Sequence, residues 1–224
     1  METMEEPKGL LHQRVTDHAI KLVAAASPVN IRPYRIAHQL KDKVEKQVTD
    51  LPKQGIIRNS TSLYSSSIIM VKKKDRSWWM CVDYRALNKL TIPNRIPIPV
   101  IEELLDELNG VQFFTKLELQ SGFHQVRVQE EDVEKTTFRT HEGHCEYLAM
   151  PYGLMNAATT FQATMNIIFK PLLRKFVLVF FDDILVYNSG QQTHLEHLDQ
   201  AMEILQQNHL RINRKKVFFS PQRG

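Results

Sequence analysis

Two adjacent aspartates, Asp182 and Asp183, interrupt the most apolar stretch of the chain, Phe176 to Tyr187. The flanks, 177–180 and 184–187, are apolar, β-branched and aromatic, and read as strands. Two charges cannot be carried inside a buried strand pair without partners. The spacing therefore predicts a tight turn that lifts both carboxylates above a buried sheet. The stretch is also too short, and too interrupted, to span a bilayer.

Like charges held side by side repel. A hard divalent cation such as Mg²⁺, which takes oxygen ligands, offsets that repulsion. Two such ions can clamp the attacking and leaving oxygens of a phosphoryl displacement. That chemistry needs a third carboxylate from a neighbouring strand, and Glu118 is the candidate. Along 113–119, Thr115, Leu117 and Leu119 alternate onto one face, and Phe114, Lys116 and Glu118 onto the other. A bare Asp-Asp pair is more often an ordinary acidic turn, so the rest of the chain decides between the two readings.

The remaining pattern predicts an α+β fold. Residues 1–35 carry Pro7, Pro28 and Pro33 and read as an extended lead-in. A helix follows, with Leu40, Val44, Val48 and Leu51 on one face, closed by Pro52 and Gly55. After a Ser-rich loop over 60–67, strands at 67–73 and 79–84 flank the turn Lys74-Asp75-Arg76-Ser77, which places a basic run at a hairpin tip. Pro93, Pro97 and Pro99 mark an extended connection to a helix over 101–108, stopped by Gly110. The strand at 113–119 continues after Ser121-Gly122 as 125–128, and a hairpin spans 136–140 and 145–150. Asn156 caps a helix with the stripe Phe161, Met165, Ile168 and Leu172. Thr193 and Glu196 form a capping box for a helix with Leu195, Leu198, Met202 and Leu205, and 210–219 reads as a last strand. From 113 onward, leaving out the hairpin, the order is strand, helix, strand, strand, helix, strand. That is the ferredoxin-like βαββαβ arrangement.

Composition adds little beyond this. A formal net charge of +4 permits an anionic partner without demanding one. Cys81 and Cys145 form no CxxC pair, and His141, His144 and Cys145 read as a hairpin turn lacking a fourth metal ligand. His194 and His197 read as part of a solvated helix face. The N-terminus has no apolar signal region, so the expectation is an intracellular protein, cytoplasmic or nuclear, that engages no membrane.

Several segments in fixed order carry a resemblance. They are RPYR (32–35), GIIRNSTS (55–62), VKKKD (71–75), CVDYRALN (81–88), SGFHQ (121–125), KTTFRT (135–140), MPYGL (150–154), FQATMN (161–166) and the Phe-Phe-Asp-Asp box at 180–183. Together they resemble the reverse transcriptase domain of gypsy-class LTR retrotransposon Pol polyproteins. The resemblance implies a right-hand polymerase with fingers and fingers–palm connection at 36–112 and a palm at 113–224 carrying a hairpin insertion at 129–150. It implies RNA-directed DNA polymerisation with two Mg²⁺ ions, or Mn²⁺, on Asp182, Asp183 and Glu118. The implied partners are an RNA or DNA template with primer and deoxynucleoside triphosphates. Phe123 matches the ring that excludes a ribose 2′-hydroxyl, and Ser121 and Gly122 offer backbone N–H groups to phosphate. Tyr152 lines the nucleotide pocket beside Gly153. One of Lys72 to Lys74, with Lys73 the first choice, is left to contact phosphate, Lys216 matches a lysine suspected as general acid, and Arg85 is a candidate template contact.

The chain departs from the family where the chemistry is most exacting. Glu118 stands where the family has aspartate, and a misplacement of about 1 Å can cost roughly 100-fold in rate. Trp79 replaces an arginine that grips the triphosphate, Arg76 stands where the family usually has glycine, and Val217 follows Lys216 in place of a cysteine. The thumb, connection and RNase H domain have no counterpart in these 224 residues, so the resemblance implies a fragment, a truncated reading frame or a degraded copy. Impaired polymerase and inactive relic that at most binds nucleic acid are both open at this stage. An RNA-binding module of the same βαββαβ order is disfavoured, because no Gly-aromatic run is present and the paired acids would repel RNA. The sequence fixes no oligomeric state.

Overall fold

The computed structural model describes residues 12–73, 76–95 and 101–221. Lys74 and Asp75 of the basic turn, Pro97 and Pro99 of the connection, and the first eleven residues of the lead-in lie outside the described residues. In chain order the elements are α1 (His38–Lys53), β1 (Ile57–Asn59), β2 (Ser66–Lys72), β3 (Trp78–Asp83), α2 (Arg85–Leu90), α3 (Ile101–Asp106), β4 (Phe113–Glu118), α4 (Glu130–Val133), β5 (Phe138–Arg139), β6 (His144–Tyr147), α5 (Ala157–Ile168), β7 (Val177–Phe180), β8 (Asp183–Asn188), α6 (Gln191–Gln207) and β9 (Phe218–Pro221). They form an α+β fold in two compact units. Of the described residues, one unit holds those from His12 to Asn94 together with Phe123–Ala157; the other holds Arg95–Gly122 and those from Ala158 to Pro221. The hairpin expected at 129–150 is therefore part of a longer segment folded with the N-terminal residues, and 101–112 belongs with β4.

The N-terminal unit is built on a five-stranded sheet in the order β1-β6-β5-β2-β3. β2 and β3 pair antiparallel with Ile68 opposite Val82 and Met70 opposite Met80. Ile68, Met80 and Val82 are buried while Ile69 and Val71 face out, as a period of two requires. In α1, Val44 and Val48 are the buried pair, one turn apart. This helix runs through Pro52 to Lys53 instead of stopping before it: the ring gives up the bond its missing N–H would have made, and the helix goes only one residue further. Gly55, at φ 70, then takes the left-handed turn. The strand expected at 125–128 is a 3-10 turn over Gly122–Gln125 followed by single bridges at Arg127 and Val128. Ser121, at φ 50, breaks the strand there.

The second unit carries an antiparallel sheet in the order β7-β8-β4-β9. With α5 after β4 and α6 after β8, this is the split βαβ topology. Thr115, Leu117, Val177, Val179, Ile184 and Val186 are buried on the sheet, as are Phe161 and Met165 on α5. α6 begins at Gln191 with Gly190 as its extended N-cap and no side-chain cap, so the Thr193–Glu196 box does not start it. The helix is consequently rotated from the expected stripe: His194, Ala201 and Leu205 are buried and Leu195 is 47% exposed. His194 can occupy the interior because Thr115 Oγ1 lies 2.7 Å from its Nε2 and Asn188 Nδ2 donates to its Nδ1. Burial pushes its pKa down. His197 stacks on Phe176 with ring centroids 3.6 Å apart, so the solvated-face reading of both histidines is corrected. The strand expected at 210–219 is a 3-10 turn over Arg214–Lys216 followed by β9. Among the described residues, no helix is long and apolar enough to cross a membrane.

Candidate active site

The register of the four-stranded sheet brings the sequence-selected acids together. Glu118, last residue of β4, pairs directly with Asp183, first residue of β8, and Asp183 also faces Phe180 across the β7–β8 hairpin. The turn is thus Phe181-Asp182, with Asp183 already in the strand. Like charges directly opposite one another on a sheet are destabilising, so the arrangement calls for cations. Asp182 feels this most: burial first, then repulsion from Glu118 and Asp183, pushes its pKa above the usual carboxylate value. Its Oδ1 is buried without a hydrogen-bond partner. An orphaned, repelled carboxylate oxygen beside two further carboxylates fits a divalent cation.

Two features fix the turn. Phe181 has φ 49, an uncommon conformation for a bulky side chain. Its N–H donates to Gln162 Oε1 at 2.9 Å, while Gln162 Nε2 donates to Val179 O at 3.0 Å. Gln162 is fully buried on α5 and so ties the tip and one edge of the hairpin to the helix beneath. Sequence reasoning missed it. The available signal was a glutamine inside the FQATMN run, next to Phe161. Gly122 is the second feature: a Cβ there would meet Asp182 Oδ1 at 2.8 Å and the Phe161 ring at 3.1 Å. Only glycine lets the chain pass this close to the carboxylate. Ser121 precedes it, exposed and left-handed.

Two lysines answer two of the three acids. Lys216 Nζ lies 2.5 Å from Glu118 Oε1, which raises the lysine's pKa. Lys116 Nζ lies 2.7 Å from Asp183 Oδ2. Lys116 and Asp183 also line an apolar cavity of about 230 Å³ with Leu104, Leu108, Leu178, Phe180 and Leu185. Held this way, the three acids do not converge on one point. Among the described residues, the group of three His, Cys, Asp or Glu whose ligand atoms all lie within 4.8 Å is instead Glu45, His141 and Glu142. There His141 Nε2 is already 2.7 Å from Glu45 Oε1. His144 and Cys145 do not join that group; His144 Nε2 accepts from Arg139 Nε at 2.6 Å.

The N-terminal unit holds the other residues selected from sequence. Phe123 meets Tyr152 edge-on with ring centroids 4.7 Å apart, and His124 meets the same tyrosine at 5.6 Å. Burial pushes the His124 pKa down to about 4. Gly153 follows at φ 94, with its carbonyl held by Asn88 Nδ2 at 2.8 Å. Lys73 Nζ sits 4.1 Å above the Trp79 ring, a cation–π contact. Arg76 adopts φ 67, the left-handed conformation for which the family's glycine suits this turn. Arg85 is closed on Asp83 by two bonds, Nε to Oδ1 at 2.8 Å and Nη2 to Oδ2 at 2.6 Å. That fork and the Tyr34 hydroxyl push the Asp83 pKa down to about 2.

The fold is α+β, and the turn that carries the acids stands at one end of its four-stranded sheet. Residues 71–223 match the reverse transcriptase (RNA-dependent DNA polymerase) family, and the chain belongs to it. It is 40% identical over 198 residues to the retrovirus-related Pol polyprotein from transposon 297 of Drosophila melanogaster, covering 86% of this chain and 19% of that protein. It is 34% identical over 198 residues to the corresponding polyprotein from transposon gypsy of the same fly, with the same coverage. The chain thus spans about a fifth of the length of these relatives. Its fold is that of the foamy viral protease-reverse transcriptase solved in complex with an RNA/DNA hybrid, at a TM-score of 0.83 and 24% identity over 96% of this chain and 28% of that one. Reverse transcriptases generally use divalent metal ions.

Proposed function

We propose that this chain is the fingers-and-palm part of an RNA-directed DNA polymerase whose metal ligands are Asp182, Asp183 and Glu118. The single observation that carries the reading is the buried, unpartnered Oδ1 of Asp182 beside two further carboxylates paired across β4 and β8. In this reading the unit with the four-stranded sheet is the palm, and the unit with the five-stranded sheet is the fingers, with the segment after Phe123 folded into it. The partners are an RNA or DNA template with primer and deoxynucleoside triphosphates, met inside the cell. Two Mg²⁺ or Mn²⁺ ions, when bound, would activate a primer 3′-hydroxyl and stabilise the leaving pyrophosphate.

The chain's own residues supply the rest. Gly122 keeps the backbone close to Asp182, and the N–H groups of Ser121 and Gly122 are offered to phosphate. The Phe123 ring, stiffened by Tyr152, excludes a ribose 2′-hydroxyl, and Tyr152 with Gly153 lines the nucleotide pocket. Lys216 is the proton donor for the leaving pyrophosphate. Lys73 gives charge to phosphate after leaving the Trp79 ring. Arg85 contacts the template after opening its fork with Asp83; phosphate contacts of this kind set affinity and make it salt-dependent.

Impairment follows from two residues. Glu118 carries one methylene more than aspartate and is drawn to Lys216, and Trp79 cannot supply an arginine's charge. These observations favour, as a second reading, a relic that binds nucleic acid without turning over. Primer extension on poly(A) primed with oligo(dT), in Mg²⁺ or Mn²⁺, separates the two. Little or no product is expected from the native chain, with partial recovery in the Glu118→Asp, Trp79→Arg double variant. Extension by the native chain as fast as by the double variant would refute impairment. A folded double variant that stays inactive would favour the relic.

A further inference from the structure

Taking the three carboxylates as metal ligands, as proposed above, we infer that Lys116 is a resident counter-ion: it holds Asp183 in the metal-free site and must be displaced when a divalent cation enters. The placement comes from the strand register. Lys116 and Glu118 share one face of β4, two residues apart. Glu118 lies directly opposite Asp183, and Lys116 lies opposite Leu185, which makes Lys116 and Asp183 diagonal neighbours. A long side chain bridges that diagonal, and the two charged atoms are 2.7 Å apart.

This contact explains why the acids do not gather. Lys116 takes Asp183, Lys216 takes Glu118, and Asp182 Oδ1 is left without a partner. A cation binding all three has to compete with both ammonium groups. For Lys116 the competition is mild. Its side chain and that of Asp183 are 44% and 46% exposed, and exposed ion pairs contribute about 0.2–1 kcal/mol. Breaking such a pair therefore weakens apparent metal affinity by about 1.4- to 5-fold. The lysine is strong enough to quiet repulsion in the empty site and weak enough to yield to a divalent ion. Once displaced, it faces the apolar cavity beside Leu178, Phe180 and Leu185, a poor resting place for a charge, so it returns when the metal leaves.

Mn²⁺ binding to the full chain, followed by the electron paramagnetic resonance signal of the free ion, tests this without relying on turnover. Lys116→Gln is expected to tighten the apparent Kd by that same factor, about 1.4- to 5-fold, at low salt, with the gain shrinking as salt screens the pair. Lys116→Arg, which keeps a cation, should bind as the native chain does. Lys170→Gln, which makes the same change in net charge at an exposed site in the turn after α5, should also leave Kd unchanged. Thermal unfolding gives a second readout: Lys116→Gln should lower the metal-free Tm and enlarge the Tm rise on adding Mn²⁺. An unchanged or weaker Kd in Lys116→Gln overturns the inference. Asp183→Asn separates the two levels. If it abolishes binding while Lys116→Gln changes nothing, only the role of Lys116 falls. If it leaves binding intact, the metal reading falls as well.

Discussion

Two hairpins, β2–β3 and β7–β8, each turn on a side-chain-bearing residue in the left-handed region, Arg76 at φ 67 and Phe181 at φ 49. Each such residue costs about 1–2 kcal/mol relative to right-handed backbone. The two turns meet that cost differently. Around Arg76 the support is local: Arg76 N donates to Lys73 O and Lys73 N to Ser77 O, and the side chains lie at the surface. Around Phe181 it comes from another element, through Gln162 in the interior of α5. A turn that must aim a carboxylate is held from outside itself; a turn at an exposed tip rests on backbone bonds of its own and can carry an arginine in place of glycine. The same contrast separates Asp182, whose Oδ1 has no hydrogen-bond partner, from Asp83, gripped by Arg85 and Tyr34.

The contrast can be broken by experiment. Gln162→Leu should have the largest effect, because it leaves the Phe181 N–H and the buried Val179 carbonyl unpaired at about 1–3 kcal/mol each. Urea unfolding should show that loss together with weaker Mn²⁺ binding, and a stable variant with native metal affinity would show that α5 does not hold the turn. Gly122→Ala should come next: its Cβ meets Asp182 Oδ1 at 2.8 Å, and overpacking of this kind costs about 1–3 kcal/mol. Calorimetric titration with Mn²⁺ should also find affinity reduced by about tenfold or more, as a carboxylate is pushed aside.

A smaller effect runs in the stabilising direction. The Asp182 pKa is raised in the folded chain, so the folded state holds its proton where the unfolded state has lost it. Stability of the metal-free protein therefore falls as pH rises from the unfolded value through the folded one. Asp182→Asn should raise Tm at pH 7 in chelator, and the gain should vanish as pH falls below both values; no gain at pH 7 would refute the strained carboxylate. Arg76→Gly should do least, a gain of about 0.5 kcal/mol as relief of the left-handed strain is partly cancelled by glycine's chain entropy. It should leave Mn²⁺ binding untouched, and a change in that binding would erase the distinction between the two hairpins.

Local periodicity made much of this legible beforehand. A turn at the acid pair, which the structure sets one residue earlier at Phe181-Asp182, the face of Glu118 and the βαββαβ order follow from alternation along β4, β7 and β8 and from the stripe on α5. What stayed hidden depended on distant partners or very short elements. β1 has three residues, one of them buried, too few to show a period. His194 is interior because Thr115, 79 residues away, offers it a hydroxyl; by pattern alone Leu195 looked the better core residue. Gln162 is a polar residue in an apolar helix until Phe181, 19 residues on, is folded against it. Lys116 sat in plain view, and only the β4–β8 register supplies its partner. The Arg85–Asp83 fork is the exception, since it closes over two residues and could have been read from that spacing.

The three acids at one end of the four-stranded sheet are the proposed seat of the divalent ions. Anomalous diffraction at the manganese edge, from crystals of the full chain soaked in Mn²⁺, tests it directly. A peak bounded by Asp182, Asp183 and Glu118 is expected, with the Lys116 side chain moved off Asp183. A map with no peak there, or with its strongest peak at Glu45, His141 and Glu142, would contradict it.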